Sequence, residues 1–166
     1  MNVSTHDISL ETLDTLTEVD SLCLFIGEDE RPLSGIAGFF DWRLCGGLSR
    51  VLRQRFFTGA QGDRLLLPTD GRVAMGRVFA VGLGKAASLS VEALGEALAG
   101  AARMLNKANV QGVALELPGE GRLDDAVRAE AFSQRFRPEF KGARVALLAE
   151  KPLRMRLPKV AGAQGR

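Results

Sequence analysis

The chain has 166 residues, 46% of them hydrophobic and 25% charged, ordinary values for one soluble globular domain, and no stretch approaches the ~20 apolar residues of a membrane span. The formal net charge of +2 hides an asymmetry, because all 20 acidic residues fall within positions 1–150, leaving that body acidic and positions 151–166 purely basic. Cys23 and Cys45 cannot build a disulfide framework, and residues 1–11 are too polar for a secretory signal, so the expected compartment is the reducing cytoplasm.

In chain order, residues 7–13 alternate Ile8, Leu10 and Thr12, the period of a half-buried strand. Residues 19–26 are almost continuously apolar and predict a central strand covered on both faces. A charged turn follows at 27–32, then a helix from Leu33 with Ile36, Phe39, Phe40 and Leu44 at helical spacing, ended by Cys45-Gly46-Gly47. A second short helix is expected over 48–56. Residues 65–67 and 78–81, closed by Pro68 to Gly71 and by Gly82 and Gly84, read as two buried strands. Ser90 is placed to cap a helix on which Val91, Leu94, Leu98, Ala101, Ala102 and Leu105 form one stripe, and Asn109 can close it. A strand at 113–117, a helix capped by Asp124 or Asp125, and a strand at 145–149 complete the body, with Pro152 and Pro158 marking an irregular exit. The expected architecture is one α/β domain over 1–150, with about six strands between helices, and a basic irregular tail over 151–166.

Residues suited to chemistry are sparse. His6 is the sole histidine, so no Ser/His/Asp set and no Cys/His zinc spacing can be drawn. Asp63, the run Glu28-Asp29-Glu30, and the pair Asp124-Asp125 are metal candidates by residue type alone, and each is read as a turn or helix cap. Gly82, Gly84, Lys85 and Ala87 match a permissive dinucleotide fingerprint, although the helix begins late, at Ser90, and no acid ends a strand at the required distance. Tight glycine turns have a purely steric explanation as well. If a small ligand binds, its place is the loops after the strands, with Gly27, Gly82, Gly84, Lys85, Ser88 and Gly119 supplying amides or charge. Arg43, Arg50, Arg53 and Arg55 gather near Phe56 and Phe57, which are expected in the core. Lys151, Arg154, Arg156 and Lys159 give the tail its charge, and Leu153, Met155 and Leu157 alternate with its arginines as an edge strand would.

The motifs FTGAQGD (57–63), LLP (66–68) and RVFAVGLGK (77–85), with Val19-Asp20 before the central strand and the Phe140-Lys141 helix end, resemble the N-terminal domain of the leucyl aminopeptidase family. Ala60 stands where that family usually has a lysine, and the helix end lacks its glycine and tyrosines. The resemblance implies a three-layer α/β/α, macro-domain-like fold with a mixed, mostly parallel sheet. It also implies the accessory domain without the two-metal catalytic domain, whose NTDAEGR segment does not occur in these 166 residues. The expectation is therefore a non-catalytic domain, without metal or cofactor, that serves protein interaction, self-assembly or regulation. Binding of ADP-ribose or another nucleotide is the first alternative, and nucleic-acid association through the tail is the second.

Overall fold

The computed structural model describes the backbone of residues 1–161 and the side chains of residues 1–157. Six strands form one mixed sheet in the order β1-β6-β5-β2-β4-β3. They are β1 Asn2–His6, β2 Ser21–Ile26, β3 Arg64–Pro68, β4 Arg77–Gly82, β5 Gly112–Glu116 and β6 Arg144–Leu148. Only β3 runs antiparallel, against β4. One face is covered by α1 (Leu10–Thr15), α2 (Gly35–Arg43) and α3 (Gly47–Arg53). The other is covered by α4 (Val91–Lys107), α5 (Asp125–Ala131) and α6 (Lys151–Ala161).

The alternation of side chains along each strand builds both cores. Leu22, Leu24 and Ile26 of β2 face α2 and α3 together with Val78 and Ala80 of β4, whereas Cys23, Phe79 and Val81 face α4. The central strands are buried on both sides and therefore read as unbroken apolar runs. The α4 stripe lies as expected from its second turn on: Leu94, Leu98, Ala101, Ala102 and Leu105 are buried, whereas Val91, in the first turn ahead of the sheet, is 47% exposed; Ser90 Oγ accepts from the Ala93 amide at 3.1 Å, and Asn109 takes φ +53°.

Four expectations are corrected. The alternating segment near residue 8 is not a strand. Ser9 Oγ accepts from the Thr12 amide and starts α1, and Leu13 and Leu16 at three-residue spacing turn inward while β1 forms earlier. Residues 65–67 are an edge strand, not a buried one: Leu66 is exposed, and Leu65 and Leu67 are half-buried on the α2–α3 side. Phe57 is core, but Phe56 is 78% exposed. Positions 151–161 form α6 rather than an irregular tail. Pro152 falls in its first turn, where a missing amide costs nothing, and Leu153 and Leu157, one turn apart, enter the core beside Phe132 and Phe136. Residues 162–166 lie outside the described part.

Candidate functional site

A cleft of about 220 Å³ opens at the carboxyl ends of β2, β4 and β5. The chain leaves β2 toward β4 and leaves β5 toward β6 on the opposite side, so the two neighbouring strands part there. This is the topological switch point at which open α/β sheets take their ligands. The β2–α2 loop contributes Glu30, Leu33 and Ser34, the segment after β4 contributes Leu83, Ala86 and Leu89, and the loop after β5 contributes Gly119, Glu120 and Arg122.

Four backbone amides around the cleft are engaged by nearby carboxylates. Asp29 accepts from the Ala86 amide at 2.7 Å and the Ala87 amide at 3.0 Å, which hold its carboxyl below the ordinary aspartate range, Ala87 most of all. Glu30 accepts from the Gly27 amide at 2.8 Å. Glu116, at the end of β5, accepts from the Ile36 amide at 2.7 Å, at the start of α2. Burial pushes the Glu116 carboxyl up to about 7, with the Ile36 bond opposing and the nearby Glu120 reinforcing the rise. Gly35 makes this contact possible. Its φ is +56°, and a Cβ there would lie 2.4 Å from a Glu116 oxygen.

The residues singled out in the glycine loop converge on this end of the sheet, but they do not form an open anion cradle. The Gly84 amide donates to Gly59 O at 2.8 Å, the Leu83 amide to Ile26 O at 3.0 Å, and the Ser88 amide to Lys85 O at 3.1 Å. Gly82 is required sterically, since a Cβ there would meet Ala60 O at 2.0 Å. Lys85 and Ser88 are exposed, and Gly119 turns the β5 exit with φ +95°. Asp63 braces its turn by accepting from the Thr58 amide and hydroxyl, and His6 bonds Glu18 at 3.0 Å. Asp125 pairs with the buried Arg128. Among the described residues, no three His, Cys, Asp or Glu are grouped to hold a metal.

The basic residues separate into two places. Arg154 of α6 pairs with Asp7 at 2.8 Å, while Lys151 and Arg156 are exposed, and the Lys159 side chain lies outside the described residues. The second place is the α2–α3 face, where Trp42 is 64% exposed and Phe39, one turn earlier, is 37% exposed. The Arg43 guanidinium lies 5.2 Å from the Trp42 ring centroid and is held bidentately by Asp14. Beside the indole, Asp41, Trp42, Arg43, Cys45 and Gly46 line a shallow depression. Arg50 Nη1 donates to Cys45 O at 3.0 Å, and Arg72 Nη1 reaches Arg43 O at 3.4 Å. Arg53 is exposed at the end of α3.

Trp42 and Arg72 were missed from sequence. The helical spacing of Phe39 and Trp42 was legible, but Arg72 joins them from another loop. Nothing local in the sequence announces that approach.

The profile described as "Cytosol aminopeptidase family, N-terminal domain" matches residues 23–135. A probable cytosol aminopeptidase of Cupriavidus pinatubonensis is 38% identical over 85 residues, covering 51% of this chain and 17% of that protein. The chain thus spans a small part of the length of the curated relatives it matches. Among solved structures, a mutant of tomato leucine aminopeptidase superposes with a TM-score of 0.63 at 19% identity, covering 96% of this chain and 35% of the other. A Trypanosoma brucei macrodomain in complex with ADP superposes with a TM-score of 0.70 at 14% identity, covering 96% of this chain and 68% of the other. Both likenesses show the macrodomain-like α/β fold.

Proposed function

Because the chain belongs to the cytosol aminopeptidase family through its N-terminal domain, we propose that it acts as a non-catalytic interaction module that engages a protein partner through the α2–α3 face. The observation that carries this reading is Trp42: a large aromatic side chain stands 64% exposed among arginines while two apolar cores enclose most of its hydrophobic neighbours. Exposed Trp and Arg in one patch are the residues that dominate protein–protein binding energy. Catalysis in the family's manner needs two metals fixed by converging ligands, and the match covers the domain without them.

Two measurements test the proposal. Leucine-amide hydrolysis with added manganese or zinc should stay at the level of buffer, and metal-dependent turnover that co-purifies with the chain would overturn the non-catalytic reading. Cys45 lines the depression, so a maleimide photo-crosslinker is attached instead at an exposed position just past α3, through Gln54→Cys in a chain lacking Cys45, with Cys23 buried and unreactive. The purified, labelled chain, added to an extract of the producing cells and irradiated, should give a discrete adduct that Trp42→Ala abolishes. The same adducts from a crosslinker placed on α4, through Glu96→Cys in a chain lacking Cys45, would show that the α2–α3 face has no special role.

The switch-point cleft is a poorer basis for nucleotide binding in this chain. A phosphate entering it would meet Glu30, Glu116 and Glu120 against the single cation Arg122, whose Nη1 already donates to Ala87 O at 3.0 Å, and would have to displace Asp29 from the Ala86 and Ala87 amides.

A further inference from the structure

We infer that the occupant of the Trp42 depression is a short acidic peptide segment, whose carboxylates are received by Arg50 and Arg72 while an apolar neighbour rests on the indole. This deepens the interaction-module reading and rests on it.

The charge balance at the depression is net positive, with Arg43, Arg50 and Arg72 against Asp14 and Asp41. Of the carboxylates nearest to it, Asp14 is consumed by Arg43, and Asp41 accepts from the Ser49 amide at 3.0 Å and the Ser49 hydroxyl at 2.6 Å. Arg50 and Arg72 have no carboxylate partner among the described residues. Each is steered from behind by main chain, through Cys45 O and Arg43 O, and Arg72 Nη1 also lies 3.9 Å from Cys45 Sγ. Two guanidiniums therefore converge on the same short piece of chain, Arg43 to Cys45, next to an exposed ring. Beyond them, positions 42–62 hold Arg53 and Arg55 and not one acid.

The chemistry favours a peptide over a polynucleotide. A guanidinium accepts a carboxylate through two parallel hydrogen bonds, and holding it in place beforehand reduces the entropy lost on binding. Single-stranded nucleic acid instead calls for an extended basic groove with successive stacking platforms, whereas these donors meet at one point. An opposing charge pattern with an apolar centre fits a few consecutive Asp and Glu residues flanking a Leu or Phe.

The chain carries its own reporter. Trp42 is its single tryptophan and tyrosine is absent, so intrinsic emission reads this face alone. The probes are the synthetic peptide Glu-Asp-Glu-Leu-Asp-Glu, a lysine peptide of the same length, and oligothymidylate, each titrated at low salt. The acidic peptide should shift Trp42 emission saturably, with affinity falling as salt rises. Arg50→Ala and Arg72→Ala should each weaken binding roughly fivefold with no change in melting temperature, and Arg50→Lys should restore only part of it, because an ammonium cannot bind a carboxylate in parallel. Equal binding by the lysine peptide, tighter binding by oligothymidylate, or no saturable shift with the acidic peptide would each overturn the inference. A failed titration alongside a Trp42-dependent crosslink would remove only the acidic occupant. Failure of both would remove the interaction module as well.

Discussion

Glu116 offers the most quantitative test of the cleft. Its folded-state carboxyl sits at about 7 against 4.5 for the free side chain, because the end of β5 withdraws it from water. The folded protein holds this proton more tightly than the unfolded chain does. Stability associated with the group is therefore fully present below about pH 4.5 and is lost as pH rises toward about 7. At about 1.4 kcal/mol for each tenfold difference in proton affinity, the full loss is about 3–4 kcal/mol, with about 2–3 kcal/mol of it falling between about pH 5 and pH 8. Glu116→Gln removes the titration while leaving an oxygen to accept from the Ile36 amide. Urea unfolding of both proteins at the two pH values should show them close together at the acid end. At the alkaline end the variant should be the more stable by about 2–3 kcal/mol, roughly 4–12 °C in melting temperature for a chain of this size. Parallel pH profiles for the two proteins would show that Glu116 ionises without penalty, and the description of a desolvated carboxylate at the switch point would be wrong.

Three further outcomes are expected. Ending the chain at residue 150 removes buried Leu153 and Leu157 from the α5 side, so melting should reveal a loss of roughly 3–6 kcal/mol; an unchanged transition would mean that α6 does not pack on its own body. Gly82→Ala drives a Cβ into Ala60 O and should cost roughly 2–4 kcal/mol by chemical denaturation, whereas a neutral result would free that glycine for a ligand role. Calorimetry with ADP-ribose should give no saturable heat with the wild-type chain, since Asp29 fills the Ala86 and Ala87 amides; clear binding would return the nucleotide alternative to first place.

Much of the fold could be read from local pattern. The α4 stripe repeats over four turns, and β2 is too apolar for anything but a central strand, so no competing period fits either. Short windows failed where two periods coincide. Leu153, Met155 and Leu157 alternate, yet Leu153 and Leu157 are also one helical turn apart, and the core rewarded the second pattern. Near residue 8 the Ser9 cap decided between the same two choices. The cleft loops could be located as the segments that follow predicted strands, but their occupation could not. The Glu116 bond to Ile36 joins residues 80 apart, and the Asp29 bond to Ala86 spans 57. Such pairings depend on tertiary placement alone. Phe56 and Phe57 make the same point at the smallest scale, since adjacent identical residues end on opposite sides of the surface.

The sheet order also constrains how the chain is made. β1 has a single neighbour, β6, with Asn2 opposite Arg144. At a synthesis rate of roughly 5–20 residues per second, the first strand must wait roughly 7–30 s for its partner to be translated. During that interval β2, β3 and β4 can pair with one another, but β1 is a loose segment beside a growing hydrophobic sheet. Its composition suits the delay: Asn2, Ser4, Thr5 and His6 leave Val3 as the only apolar side chain in the strand, so it has little to offer a passing sheet edge before β6 emerges.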